Sequence, residues 1–346
     1  MDTRLTPEQA ELQRTARQLA RQLGPRAVAD LDDAKRRERL AEAVRAAGWL
    51  ELRQDRGDGG PLASGVEAAL IAEALGETVA DVAFSGPVLA ADLARRAGVS
   101  PVPGAGVAFA ADLVDPAVVS GPETDAPLVA VDAGAATAYV LVPEGEGHRL
   151  ATVETSGPSG GSDLTRALRP IQAGARVQPV DGSPLTRDDL DAWTALGLAL
   201  TSADLVGLMR GVIDASVAYA GERKQYGVAI GSFQAVQHLL AEAHTRMEGA
   251  ASAAAYPAWA ADALAPDEAR AAGRVAKAYA ARAARTVCET AVQVHGGIGN
   301  TWDCMVHVHL RRALLSSQWF GGDGEMLRQL ERTRLGADLG VPHGLS

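Results

Sequence analysis

The sequence predicts a mixed, mostly α protein in three parts: an N-terminal helical domain, a small middle β-sheet domain and a C-terminal helix bundle. Three observations carry that prediction. Apolar residues recur at helical spacing up to about residue 100 and again after about residue 185. Between them the helical period fades, and short apolar runs alternate with Gly/Pro turns. Alanine, leucine and valine do most of the apolar work while aromatics make up only 4%, and alanine is the best helix former. The domain boundaries expected on this reading are 1–101, 102–184 and 185–346.

The elements follow in order. Thr6 and Pro7 open a helix as N-cap and first helical residue. Leu12, Ala16, Leu19 and Leu23 continue it, and Gly24-Pro25 stops it. Further helices are expected over about 36–47, 64–75 and 87–97, with a turn cluster at Gly57-Asp58-Gly59-Gly60-Pro61. Strands are expected over 106–110, 128–131 and 138–142, separated by turn residues such as Gly121-Pro122 and Gly145-Glu146-Gly147. Gly157-Pro158-Ser159-Gly160-Gly161 reads as a surface loop. Leu205, Leu208, Met209, Val212, Ile213 and Val217 then form the stripe of a long helix. Four more are expected, over about 232–261, 266–294, 303–315 and 324–335.

Composition bounds the function. The 346 residues suffice for two or three domains, and 47% hydrophobic content supplies a core. A net charge of −10 repels a phosphate backbone and argues against nucleic-acid binding. An anionic coenzyme remains possible, because it needs only a local basic pocket. Cys288 and Cys304 fit neither a metal-ligand spacing nor a disulfide framework, which points to a reduced, cytoplasmic setting without a metal. The polar N-terminus lacks an apolar signal region, and no uncharged apolar run reaches the length of a membrane span.

Two segments carry the chemistry. Glu222-Arg223-Lys224-Gln225-Tyr226-Gly227 ends the long helix, and Phe233-Gln234 opens the next. Taken alone, the first segment is a helix cap, with Gly227 in the left-handed position and Arg223 and Lys224 at the negative dipole end. Its side chains also suit a ligand. The Arg223 guanidinium matches a phosphate bidentately, Tyr226 offers a ring face, and Gln225 and Gln234 offer amides. About seventy residues after Arg223 comes Gln293-Val294-His295-Gly296-Gly297-Ile298-Gly299. Its glycines let backbone N–H groups approach a ligand closely. His295, beside two glycines, reads as a hydrogen-bonded spacer.

In order and layout these segments resemble the two cofactor-gripping segments of the acyl-CoA dehydrogenase family. The resemblance extends to Ala72-Glu73-Ala74-Leu75-Gly76, a helix terminus like the family's, and to Asp163-Leu164-Thr165-Arg166, similar to its Asp-x-Thr/Ser-Arg turn. It implies a helical, β-sheet, helical fold with FAD bound at a subunit interface, an acyl-CoA substrate, and electron transfer to an electron-transferring flavoprotein. It assigns Arg223, Gln225, Tyr226, Gln234, Gln293, Gly296 and Gly297 to the cofactor. The family reaction removes a proton alpha to the thioester carbonyl with a carboxylate base, while hydride leaves the beta carbon for the flavin.

The chain departs from the family at the base. The turn before the last helix reads Trp319-Phe320-Gly321-Gly322-Asp323, so the base position is Gly321 or Phe320. The family's alternative position, near the start of the long helix, is Gly197, followed by Leu198. The flavin-covering segments of the middle domain are also missing. Asp323 and Glu325 are substitute candidates, although acidic residues also suit a helix N-terminus; Asp204 has no clear role. Three readings follow. The chain is a short subunit whose partner supplies the base, like the small chains of actinobacterial heteromeric acyl-CoA dehydrogenases acting on bulky thioesters. Alternatively it is a homo-oligomeric enzyme, dimer or tetramer, using Asp323 or Glu325. The third reading is a non-catalytic scaffold that keeps the fold.

Overall fold

The computed structural model describes residues 4–157 and 161–339; the centre of the loop expected at 157–161 lies outside them. Helix α1 (Pro7–Leu23) begins on a capping box in which the Thr6 hydroxyl accepts from the Gln9 N–H and the Gln9 amide oxygen accepts from the Thr6 N–H. It ends at Gly24, as expected. Helices α2 (Ala34–Ala46), α3 (Gly65–Glu77) and α4 (Ser85–Arg96) complete the N-terminal layer.

Six strands follow: β1 (Gly106–Phe109), β2 (Leu128–Val131), β3 (Thr137–Glu144), β4 (Gly147–Glu154), β5 (Leu168–Ile171) and β6 (Val177–Pro179). They form one sheet in the order β5-β2-β1-β3-β4-β6. Only the β1–β3 pair is parallel. The first three strands coincide with the apolar runs read from the sequence. Strands β4, β5 and β6 were not read from the sequence. Strand β4 begins at the end of the expected Gly145-Glu146-Gly147 turn and continues with His148 and Arg149, and β5 and β6 are short edge strands carrying Arg169, Pro170, Gln178 and Pro179, residues without a strand pattern.

The remaining helices are α5 (Arg187–Glu222), α6 (Gln234–Ala263), α7 (Pro266–His295), α8 (Val306–Gln318) and α9 (Asp323–Leu339). Helix α5 is the axis of the molecule. Every residue from 195 to 209 is buried, so the predicted stripe is one side of a helix covered all round, with Val217 exposed beyond it. By length and hydropathy α5 could cross a membrane, contrary to the expectation of no such run, but 89% of its most apolar window is buried inside the protein. Helix α3 crosses α5 at near backbone contact. A Cβ on Gly207 or Gly211 would lie 2.0 Å from the Glu73 carbonyl oxygen or 1.9 Å from that of Glu77, so only glycine permits the crossing.

The three layers meet at a buried ion cluster. Asp204, at the middle of α5, accepts from Arg312 on α8 (2.7 Å) and from the Ser316 hydroxyl (2.8 Å), and lies 3.1 Å from Arg166 of the Asp163–Arg166 turn. Arg312 also donates to the Ala80 carbonyl between α3 and α4 (2.8 Å). Asp132, after β2, accepts the Phe84 and Gly86 N–H groups at the start of α4 (3.0 and 3.2 Å). Asp204 therefore anchors the cluster. Its burial would push the carboxyl up, but Arg166 and Arg312 outweigh that and hold it below the usual range. A second buried cluster joins Arg53 to Asp92 (3.0 Å) and to Asp262 of α6 (2.7 Å). Burial opposes the ionisation of Asp92, but Arg96, Arg53 and Arg95 hold its carboxyl well below the usual range.

Removing one partner of a buried ion cluster leaves uncompensated charge. Asp204→Ala is expected to lower the unfolding free energy by about 3–5 kcal/mol, read from urea denaturation at pH 7. The depressed Asp204 and Asp92 carboxyls add a pH dependence of definite sign. Their stabilisation is present above the unfolded-state value near pH 4 and is lost as pH falls through their folded values. The urea midpoint should thus fall progressively below about pH 4, and less steeply in Asp204→Asn.

Candidate functional site

The arginine segment is a hairpin rather than a helix cap. Helix α5 stops at Glu222, and Arg223 takes an extended conformation while its N–H still reaches the Tyr219 carbonyl (2.8 Å). Lys224–Gln225 (β7) and Val228–Ala229 (β8) pair antiparallel. Tyr226 and Gly227 form the two-residue loop with φ of 53° and 83°, the left-handed pair that matches hairpin twist. Gly227 is thus required by the hairpin turn, a correction to its reading as a helix terminator. Tyr226 projects at the tip, 94% exposed. The Arg223 carbonyl accepts the Ile230 N–H (2.8 Å), and Ile230 is buried beneath the hairpin. Gln234 is the first residue of α6 and exposed.

The glycine segment closes α7. Gly296 takes φ 63° and ψ −143°, a conformation that suits glycine alone. Gly296 and Gly297 are exposed, with nothing within 4 Å of a Cβ built on either. His295 is the spacer expected: it is buried, and its Nδ1 pairs with the Ala291 carbonyl (2.9 Å). Its ring stacks on Tyr219 of α5 at 4.3 Å and 17°. Ala220, Ile230 and Val294 bury together beside that stack. The two segments, distant in sequence, are therefore fixed to one another through Tyr219 and His295. Tyr219 is a residue that the sequence reading missed; its signal was a lone aromatic one turn before the hairpin.

Four polar side chains of these segments are uncommitted. Among the described residues, no hydrogen bond or ion pair engages the side chains of Arg223, Gln225, Gln234 or Gln293, and all four are exposed. A guanidinium, three amides, an exposed ring and a glycine turn at one edge suit the phosphate and adenosine end of a dinucleotide.

The base positions look different. Phe320 is buried, and its ring lies against Gly197, where a Cβ would meet it at 2.2 Å. The two places in which the family's base is sought thus meet in space, as alternatives serving one alpha carbon must. Here the meeting point is filled by aromatic rings. Phe109 and Trp193 each sit 5.2 Å from Phe320, and Trp319 sits 5.7 Å away. Phe320 holds φ at 66°, which costs a non-glycine residue roughly 1–2 kcal/mol. Its N–H donates to the Leu113 carbonyl (2.7 Å). The buried amine of Lys277 donates to the carbonyls of Ser316 and Trp319 (2.5 and 2.7 Å), clamping the turn.

Both substitute candidates are paired with arginines. Asp323 pairs with Arg282 (3.1 Å), and Glu325 pairs with Arg328 (2.8 Å). Both stand in the first turn of α9, where the helix dipole favours them. Hydrogen bonds from Gln329 and Arg328 hold the Glu325 carboxyl below its ordinary value, away from the tuning a proton-abstracting base needs. Asp204, without a role in the sequence reading, is the anion of the buried cluster. Its signal was a single carboxylate inside an apolar helix, which burial obliges to find a cation. Among the described residues no His, Cys, Asp or Glu group could hold a metal ion.

A helical, sheet, helical layering with a hairpin and a glycine turn pinned at one edge defines an acyl-CoA dehydrogenase fold. Residues 196–335 match the family model for the acyl-CoA dehydrogenase C-terminal domain. The acyl-CoA dehydrogenase IpdE2 of Mycobacterium tuberculosis is 32% identical over 299 residues, 84% of this chain and 84% of that one. FadE34 of the same organism is 40% identical over 157 residues, 43% of this chain but only 22% of its own length. A chain of the solved ChsE4-ChsE5 complex from M. tuberculosis shares the fold at 20% identity and a TM-score of 0.75, covering 99% of this chain and 100% of that one. The chain belongs to the acyl-CoA dehydrogenase family, FAD-dependent oxidoreductases of acyl-CoA thioesters.

The aromatic contact generates a prediction. Gly197→Ala forces a methyl group into the Phe320 ring and is expected to cost about 1–3 kcal/mol in urea denaturation. Phe320→Ala empties the cluster and should cost about 3–5 kcal/mol. The double variant should be destabilised by clearly less than the sum, because the smaller side chain accommodates the added methyl.

Proposed function

We propose that this chain is a subunit of an FAD-dependent acyl-CoA dehydrogenase that grips the outer half of a flavin, while a second acyl-CoA dehydrogenase chain supplies the base and the ring-binding half. The observation that carries the reading is the packing of Phe320 on Gly197. Both base positions lack a carboxylate, and buried aromatic rings fill the space where they meet. The uncommitted side chains at the outer edge fit the complementary role. Arg223 would bind the diphosphate, Gln225, Gln234 and Gln293 would hydrogen-bond the nucleotide, Tyr226 would lend a ring face, and Gly296 and Gly297 would let the backbone approach. When bound, the flavin supplies the hydride acceptor of α,β-dehydrogenation. This chain's own residues bind and orient it and move no proton.

The ChsE4-ChsE5 complex, one chain of which has this fold, supports a heteromeric arrangement. An electron-transferring flavoprotein would reoxidise the flavin, as the family membership suggests. The alternative of a homo-oligomer using Glu325 has one observation in its favour. The Cγ of Glu325 would lie 3.3 Å from a Cβ on Gly321, one of the base positions. Its carboxylate, however, is turned to Arg328 and Gln329.

The visible absorption spectrum distinguishes these arrangements. The chain purified alone is expected to be colourless, and co-expression with its partner should give a yellow complex bleached by acyl-CoA. Flavin that is retained by the lone chain and bleached by acyl-CoA would overturn the shared site. Within the complex, Arg223→Ala should weaken flavin retention at least tenfold while leaving the urea midpoint of the lone chain unchanged, since its side chain is exposed and unbonded. Glu325→Gln should leave turnover intact.

A further inference from the structure

A cavity apart from both regions considered so far lies on the N-terminal side of the sheet. Its volume is about 740 Å³, within the roughly 300–1,000 Å³ of small-molecule sites. It opens between α2, the start of α4, the linker into the sheet and the Asp163–Arg166 turn. Val44, Leu50, Val82, Pro87, Ala91 and Val102 supply apolar wall.

The charged side chains reaching this cavity differ in how far they are already engaged. Asp81 is taken by Arg36 through two hydrogen bonds (2.8 and 2.5 Å). Asp163 accepts from the Thr165 N–H and hydroxyl (2.8 Å each). Arg166 belongs to the Asp204 cluster, and Arg169 donates to the Ala133 carbonyl (3.0 Å). Arg37 donates to the Leu31 carbonyl (2.7 Å). By contrast, no hydrogen bond or ion pair among the described residues reaches the guanidinium of Arg45, the amide of Gln54 or the carboxylate of Glu51. Arg37, Ala41 and Arg45 recur every fourth residue and so line the cavity from one face of α2. An uncommitted cation and amide therefore stand beside an apolar hollow, in a chain whose net charge is −10.

We infer that this cavity binds a small amphipathic carboxylate. The apolar body lies between α2, α4 and the linker, and the carboxylate accepts from Arg45 and from the Gln54 amide. Glu51 lines the same cavity. It tolerates one negative charge paired to Arg45 and repels a doubly charged head, so a carboxylate is favoured over a phosphate. The inference does not depend on the shared flavin site, because it uses none of that site's residues.

The test is a calorimetric titration of the full chain with octanoate, 1-octanol and octyl phosphate at fixed salt. Octanoate is expected to bind at one saturable site, about tenfold or more tighter than octanol and tighter than octyl phosphate. Arg45→Gln, at an exposed position that spares the fold, should abolish the preference over octanol and leave octanol binding unchanged. Arg45→Lys should retain part of it. Ala83→Trp, at a half-buried position on the cavity wall, should weaken both ligands. The inference is overturned by absence of saturable octanoate binding, by equal affinity for octanoate and octanol, by a preference that survives Arg45→Gln, or by tighter binding of octyl phosphate.

Discussion

One buried carboxylate holds this molecule together. Asp204 sits at the middle of a helix surrounded on every side, where an unpaired charge could not be tolerated. Its partners come from different layers. Arg312 brings α8 and, through the Ala80 carbonyl, the connection between α3 and α4; Arg166 brings the turn that leads into β5. Because the cluster is satisfied only when all the layers are in position, it couples their packing. The glycine crossing of α3 on α5 lies immediately beside it, since a Cβ on Gly76 would meet the Asp204 carbonyl oxygen at 2.6 Å. Close backbone approach and charge burial thus support one another at the same point.

That framework leaves two contrasting regions at its periphery. At one, the turn after α8 is drawn inward. Lys277 binds its carbonyls, Phe320 accepts a left-handed backbone, and the ring closes on Gly197. The strain there is offset by the burial of four aromatic side chains in a sequence that has few. At the other, the hairpin after α5 and the turn after α7 are locked to each other by Tyr219 and His295, yet among the described residues the side chains of Arg223, Gln225, Gln234 and Gln293 have no hydrogen bond or ion pair. Under the proposed function, the filled base positions and the unbonded side chains at the outer edge are the two halves of one arrangement, in which this chain completes a flavin site with a second chain. Rigid backbone beneath Tyr226 and Gly296 suits that task, because preorganised groups lose less freedom on binding.

Much of this was legible in the sequence. The start and stop of α1 follow from Thr6, Pro7 and Gly24, residues whose local chemistry acts without tertiary help. The first three strands and the long C-terminal helices follow from period alone. The family followed from the order of Arg223–Gly227, Phe233-Gln234 and Gln293–Gly299. Strand β4 went unread, and β5 and β6 were not legible because their pairing comes from neighbours and not from their own residues. The hairpin at Tyr226 was read as a cap because a left-handed glycine after a helix satisfies both geometries locally.

The sequence by itself determined the local conformations, the three-part architecture and the absence of a carboxylate at the expected base positions, since each depends on residue type and near neighbours. Only the tertiary structure decided what occupies those positions, which distant segments share an edge, and why Asp204 is there. Phe320 reaching Gly197, Tyr219 stacking on His295 and Arg166 meeting Asp204 are contacts between residues far apart in the chain. Such contacts depend on the packing of whole helices, which no local pattern encodes.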